Sequence, residues 1–366
     1  MSRIRDGFII TIIFGILFLT IDYWFGKSIL DINKIKGSSK VETHDIYHHD
    51  LKKNFFEVQY WGDLTHKLCT NSFGFKSSCD NIINEKDFDI VFIGDSFTEG
   101  VGLSYEDTFV GLFSESYPEL RVANMGVSSY SPSIYRSKIQ YYLEKEKMTF
   151  NHVFVFIDIS DIQDEALVYE RLIDNRVVNQ AQPQPQVQSQ DTVIVTIKKF
   201  LAKETPVTYR LLKILNHLID KKDRGLEYGL TSRAEWTHNP LSEDYGNKGV
   251  QFGIDTAIHH MEELYKLLKE RNIKLSIGIY PWPNQLIYDV VNNKQAKIWR
   301  DFCKGKCSYF INTMPTFFKY LESNGEVKTI QDLYIDGDSH VNKNGNRVIF
   351  EEINKTIYIS IFQRDS

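Results

Sequence analysis

The pattern of apolar and polar positions changes twice along the chain. From Phe8 to Ile21 nearly every residue is apolar, with Arg3 and Arg5 ahead of the run and Tyr23, Trp24 and Phe25 behind it. About 14 such residues rise about 21 Å as a helix, short of a bilayer crossing, and the aromatic group brings the segment close to that length. Basic residues first and no small-residue cleavage site afterwards predict a signal anchor over 1–26, with secretion after signal cleavage as the alternative. The positive-inside rule then assigns the rest of the chain to the periplasmic or extracytoplasmic side. Residues 27–40 read as a polar linker. Residues 41–88 show no sustained period and read as irregular, with His44, His48 and His49 as exposed polar residues rather than metal ligands.

A new rhythm begins at Asp89. The runs "DIVFIG", "LRVANMG", "HVFVFIDIS", "KLSIGIYP" and "SYFIN" read as strands. Between and after them, "DTFVGLFSESY", "SPSIYRSKIQYYLEKEK", "DTAIHHMEELYKLLKERN" and "NGNRVIFEEINKTIYISIF" read as helices. Strands alternating with helices predict an α/β fold with a parallel sheet. On the third of these helices Ile258, Met261, Leu264, Leu267 and Leu268 share one face, which leaves His259 and His260 expected at the surface. The rhythm breaks over about 170–248, read as an insertion in a domain spanning 41–366. It contains the Gln/Pro-rich "NQAQPQPQVQSQD" (179–191), an exposed excursion, and a helical stretch from about 192 to 222. Such an insertion serves as a lid, an interaction surface or passive decoration.

Composition narrows the function. The chain is 42% hydrophobic and 25% charged with a formal net charge of -5, which fits a globular protein and argues against a nucleic-acid partner. Its 20 Tyr and 24 Phe suit stacking on sugar rings, though an AT-rich genome accounts for them equally. Four cysteines form two close pairs, Cys69 with Cys79 and Cys303 with Cys307, as expected of local disulfides in an oxidising compartment. Crossed pairs and free thiols remain the alternatives. No metal or organic cofactor is called for.

Candidate chemistry sits where strands end. "FIGDSFTEGVG" leaves Ser96 at the C-terminal lip of the first strand, the edge on which open α/β sheets carry their sites. "YIDGDSHVNKNGNRVI" puts His340 before the closing helix, flanked by Asp336 and Asp338. A hydroxyl, an imidazole and a carboxylate are the parts of serine acyl chemistry. Together with "VANMGVSSYSP" these blocks resemble the SGNH (GDSL) hydrolase superfamily over about 89–165 and 272–360. The resemblance implies a flavodoxin-like three-layer α/β/α fold, Ser96 as nucleophile, His340 as base and an oxyanion hole drawing on Gly126. The Asp-x-His order favours Asp338 over Asp336 and is similar to that of exported polysaccharide O-acetyltransferases. In "FIDISDIQDE" Ser160 stands where the family's third block usually has Asn. "TNSFGFKS" is similar to a segment preceding the nucleophile block in the same group. That makes Asn71, Phe73 and Gly74 candidate substrate contacts, beside Asn124 and, in "YPWPNQ", Trp282.

The implied activity is that of a membrane-anchored serine esterase or O-acyltransferase acting on acyl, foremost acetyl, esters of a cell-envelope glycan. Its partners would then be that glycan or another acyl ester, the membrane, and envelope-glycan biosynthesis machinery. Two other readings fit the same sequence: a non-catalytic glycan-binding or assembly protein retaining the fold, and a lipase-like carboxylesterase.

Overall fold

The computed structural model describes residues 2–29, 39–61, 64–180, 204–209, 211–212, 232–239, 241 and 243–362. Contacts divide the chain into two units, Met1–Ser38 with Gln182–Arg224, and Ser39–Ala181 with Gly225–Ser366. The insertion expected at 170–248 is therefore split between them.

In the first unit, helix α1 (Ser2–Ile29) is followed, after the second crossing point of the chain, by a short helical stretch at 206–209. Asp22 is buried and accepts the amides of Val207 and Thr208 at 3.1 and 2.6 Å, which satisfies donors that have no partner inside a helix start. No helix among the described residues is long and apolar enough to cross a membrane, so the spanning expectation for 1–26 is left without structural support. Most of 179–191 and of the helix expected over 192–222 lies outside the described residues.

The second unit is built on a sheet. Its five parallel strands are β6 (Asp87–Gly94), β7 (Val122–Asn124), β8 (Thr149–Phe156), β11 (Lys274–Ile279) and β12 (Phe310–Asn312). They lie in the order β12-β11-β8-β6-β7. In chain order this is 2-1-3-4-5, the doubly wound flavodoxin-like arrangement whose strand order reverses beside the first strand. Residues His152–Phe156 of β8 are all buried, as a central parallel strand covered on both faces must be.

Residues 41–88 are not irregular. They form the hairpin β1 (Val41–His44) with β2 (His48–Leu51), then β3 (Phe56–Trp61), β4 (Leu64–Thr70) and β5 (Lys76–Ser77). The last three extend the sheet antiparallel beyond β7, leaving β3 at its edge. A further hairpin pairs β9 (Tyr169–Arg171) with β10 (Val177–Asn179).

The helices that bear on the site begin with α2 (Ser96–Glu99), α3 (Phe109–Ser116), α4 (Pro132–Glu144) and α5 (Asp161–Leu167). They continue with α6 (Gly249–Lys269), α7 (Pro283–Tyr288), α8 (Lys294–Cys303), α9 (Met314–Asn324), α10 (Glu326–Leu333) and α11 (Lys343–Phe362). Helix α6 packs on α4 and α5, and α11 packs on α3. His260 is buried on α6 rather than at the surface, because the α4–α5 side covers it; His259 remains exposed. Disulfides join Cys69 to Cys79 and Cys303 to Cys307, as the spacing suggested.

Candidate active site

Ser96 begins α2 directly after β6, so its backbone leaves the sheet at the C-terminal lip. The turn is tight. A Cβ on Gly94 would lie 2.7 Å from the Phe156 carbonyl oxygen of β8 and 2.1 Å from Thr98 Oγ1, so only glycine lets the two strands and the helix approach. Asp95 caps α2 through the Phe97 amide at 2.9 Å. The helix is a single turn and ends at Gly100 in a left-handed conformation, φ 72°.

The chain returns to this lip 244 residues later. The loop between α10 and α11 folds on itself through Ile335 N to His340 O (2.8 Å) and Asp338 N to Ile335 O (3.0 Å). His340 Nε2 then faces Ser96 Oγ at 2.7 Å, and His340 Nδ1 faces Asp338 Oδ1 at 2.6 Å. Asp338 Oδ1 also accepts the His340 amide at 3.1 Å, and Oδ2 accepts the Trp61 indole N–H at 2.6 Å. Asp336 is exposed and makes no such contact. Burial acts to raise the Asp338 pKa, but the hydrogen bond, charge and amide of His340, with the Trp61 donor, outweigh it and hold the group below its ordinary value. The imidazole is packed between Phe97, 4.8 Å away, and Trp61, 5.3 Å away and edge-on.

Beneath the serine lies a group of buried acids. Asp95 Oδ2 is 3.1 Å from Ser96 Oγ, and its Oδ1 accepts Tyr280 O–H at 2.9 Å. Asp158 accepts the Ser160 amide at 2.7 Å and the Trp282 indole N–H at 2.6 Å; Asp161 accepts Tyr135 O–H at 2.8 Å. Carboxylate oxygens of Asp95, Asp158 and Asp161 lie within 4.8 Å of one another. Burial first, and the charge of Asp158 second, push Asp95 up to about 7, against the Phe97 amide, His340 and Tyr280. Burial also drives Asp161 well above its ordinary value. Arg233, in the part of the expected insertion that belongs to the second unit, binds both oxygens of neighbouring Asp164 at 2.7 Å. Sequence reasoning passed over this acid group, although the spacing in "FIDISDIQDE" had set three Asp residues at the end of β8.

The other residues singled out in the sequence make contacts within the protein. The Gly126 amide donates to Asn124 Oδ1 at 3.0 Å, and a Cβ there would meet the Glu99 amide nitrogen at 2.6 Å, so this glycine serves loop packing. The next amides are also engaged, Val127 with Gly94 O at 3.2 Å and Ser128 with Glu99 Oε2 at 2.8 Å. Ser129 follows at φ 65°, and its amide alone in this run has no acceptor among the described residues. Ser160 immediately precedes α5 without a side-chain capping bond and is buried, with its amide on Asp158. Asn71 spends its side chain on the Ile83 carbonyl and on the amides of Phe73 and Phe75, and Gly74 turns the chain at φ 89°. Asn124 is buried and donates to Thr98 O at 2.8 Å. Trp282 is only 5% exposed, stacked on Phe97 and tied to Asp158, so the structure shows it packing against the site.

No family model and no curated protein matches the chain. Among solved structures it is similar to a psychrotrophic esterase from Pseudoalteromonas sp., with 12% identity and a TM-score of 0.38 over 76% of this chain and 99% of that one. It is also similar to an acetylxylan esterase from Geobacillus stearothermophilus, with 14% identity and a TM-score of 0.42 over 74% and 94%.

Proposed function

We propose that the chain is a serine ester hydrolase or O-acyltransferase. The observation that carries this reading is the continuous line of contacts from Ser96 Oγ through the His340 ring to Asp338 Oδ1, 2.7 and 2.6 Å, at the strand-order reversal of the sheet. Ser96 Oγ forms a bond to the acyl carbon while its proton passes to His340 Nε2. Asp338 holds the tautomer in which Nδ1 carries a proton and Nε2 accepts one. The tetrahedral oxyanion collapses, and His340 returns the proton to the departing alcohol oxygen. Water then attacks the acyl-enzyme to release the acid, or a sugar hydroxyl attacks it to form a new ester. The amides of Ser96 and Ser129 are our oxyanion donors, in place of Gly126, with the Ser160 hydroxyl as a third.

The acyl group is read as acetyl and the acceptor or substrate as a cell-envelope glycan, on the sequence resemblance. The N-terminal helix is read as the membrane attachment, supported by the exposure of Ile13, Phe14, Ile16, Leu17, Trp24 and Phe25. Location outside the cytoplasm is supported by the two disulfides. A second reading, a glycan-binding protein without turnover, is favoured by one feature: Ser160 in place of the longer-reaching Asn.

Both are tested by incubating the full chain with a chromogenic acetate ester, beside Ser96→Ala and His340→Ala, and by mass spectrometry of the protein. Hydrolysis or an acetyl adduct on Ser96, lost in Ser96→Ala, is the expected result. Neither product nor adduct in the wild type would leave the binding reading in possession.

A further inference from the structure

The triad carboxylate has a second oxygen, and a residue from the far edge of the sheet occupies it. Trp61 is the last residue of β3, separated from Asp338 by 277 residues, and its indole N–H donates to Asp338 Oδ2 at 2.6 Å. The same ring meets the imidazole of His340 edge-on, at 5.3 Å and 87°. Its seat is made by the nucleophile loop itself. Gly102, at φ 77°, has no Cβ, and one there would lie 3.3 Å from Trp61 Cβ and Cδ1. The Lys40 ammonium lies over the indole, 5.9 Å from the ring centroid. Lys40 pairs with Glu99, which holds the Ser128 amide and hydroxyl at 2.8 and 2.7 Å.

A carboxylate with one free oxygen turns about its Cβ–Cγ bond and exchanges that oxygen with water. Donors on both oxygens fix its plane, and a half-buried indole also covers one side of the imidazole. We propose that Trp61 is a positioning residue of the triad, locking the Asp338 carboxylate to His340 through its indole N–H. The chain thereby uses its antiparallel sheet extension to brace a site made on the parallel strands. This rests on the esterase reading of Ser96, His340 and Asp338.

Trp61→Phe keeps a ring on His340 and removes the donor. A hydrogen bond to a charged group is the stronger kind, so kcat on a chromogenic acetate should fall about ten- to hundredfold with KM unchanged. The acid limb of kcat/KM should move to higher pH, because an Asp338 relieved of one donor stabilises the imidazolium better. A packing role alone would lower the thermal midpoint and leave that limb where it is. Wild-type kcat and an unshifted limb in folded Trp61→Phe would overturn the proposal. An independent measurement covers a variant that does not fold: the indole N–H resonance of Trp61 in the ¹⁵N-labelled full chain, compared with Asp338→Ala. The resonance should move upfield when its acceptor is removed; an unmoved resonance overturns the proposal. Since this needs no turnover, a chain that hydrolyses no acetate yet shows the shift retains the brace and rejects only the assigned substrate.

Discussion

Replacing Asp338 by Asn is the sharpest perturbation of the site. The asparagine has nearly the same shape, so the loop bonds from Ile335 to His340 and from Asp338 to Ile335 survive. What changes is the group 2.6 Å from His340 Nδ1. A carboxylate there accepts a hydrogen bond from Nδ1–H, which keeps the proton on Nδ1 and leaves Nε2 unprotonated toward Ser96. With the Asn oxygen kept on the Trp61 indole, its NH₂ faces Nδ1 and donates to it, which moves the imidazole proton to Nε2. That nitrogen, 2.7 Å from the serine, can then no longer take the hydroxyl proton. The loss expected of a wrong tautomer is about 10⁴-fold in kcat near neutral pH, or about 5.5 kcal/mol. Asp336→Asn, an exposed residue without a bond to the ring, should stay within about twofold. The assay is release of a chromogenic alcohol from its acetate at pH 7.5, with circular dichroism confirming the fold. If Asp338→Asn kept a tenth of the activity, or Asp336→Asn lost most of it, the assignment of the orienting acid would be wrong.

Two further outcomes concern stability. Asp95 is pushed up to about 7 by burial and by Asp158, so the folded chain keeps a proton that the unfolded chain loses from about 4 upward. That contribution is fully present below about 4 and is lost as pH rises through about 7. Asp95→Asn should flatten the decline, so that its urea midpoint falls less than that of wild type between pH 4 and pH 8, and an equal fall in the two proteins would contradict it. Lys138 is fully buried, with Nζ on Asp50 Oδ1 at 2.8 Å and Tyr130 Oη at 3.1 Å. Lys138→Met leaves that carboxylate without its cation and should lower unfolding free energy by about 3–5 kcal/mol in urea titrations, with Asp50→Asn added to it recovering part of the loss.

The meeting of Ser96, His340 and Asp338 was legible because each occurs in a short block at the end of a strand or before a helix, where chain order dictates position. The five parallel strands were legible for the same reason, being apolar runs between amphipathic helices. Trp61 carried no such signal. Its strand, "FEVQYW", exposes Phe56, Val58 and Tyr60 at alternate positions, a period of two hidden by having apolar residues on the outer face of an edge strand. Gly126 misled because a glycine after a strand suggests an amide open to a ligand. Here it is needed for close packing, and the positive φ falls on Ser129, whose side chain gives no hint of it. Trp282 and Asn71 have bonds inside the protein that the sequence did not signal, since a residue's capacity to stack or bond a sugar is also its capacity to fill a wall.

The distance along the chain between Ser96 and His340 bears on synthesis. A ribosome that has made the sheet from β6 to β12 has made a lip that carries Ser96 without the His340 that faces it. The base arrives with the loop before α11, and that helix is held at its start by Asn346, whose side chain accepts the Phe109 amide of α3 at 2.9 Å. The contact between Ser96 and His340 is therefore among the last the molecule acquires, and on the esterase reading proposed above a nascent or C-terminally clipped chain lacking that helix would be inert toward esters while its sheet was already complete.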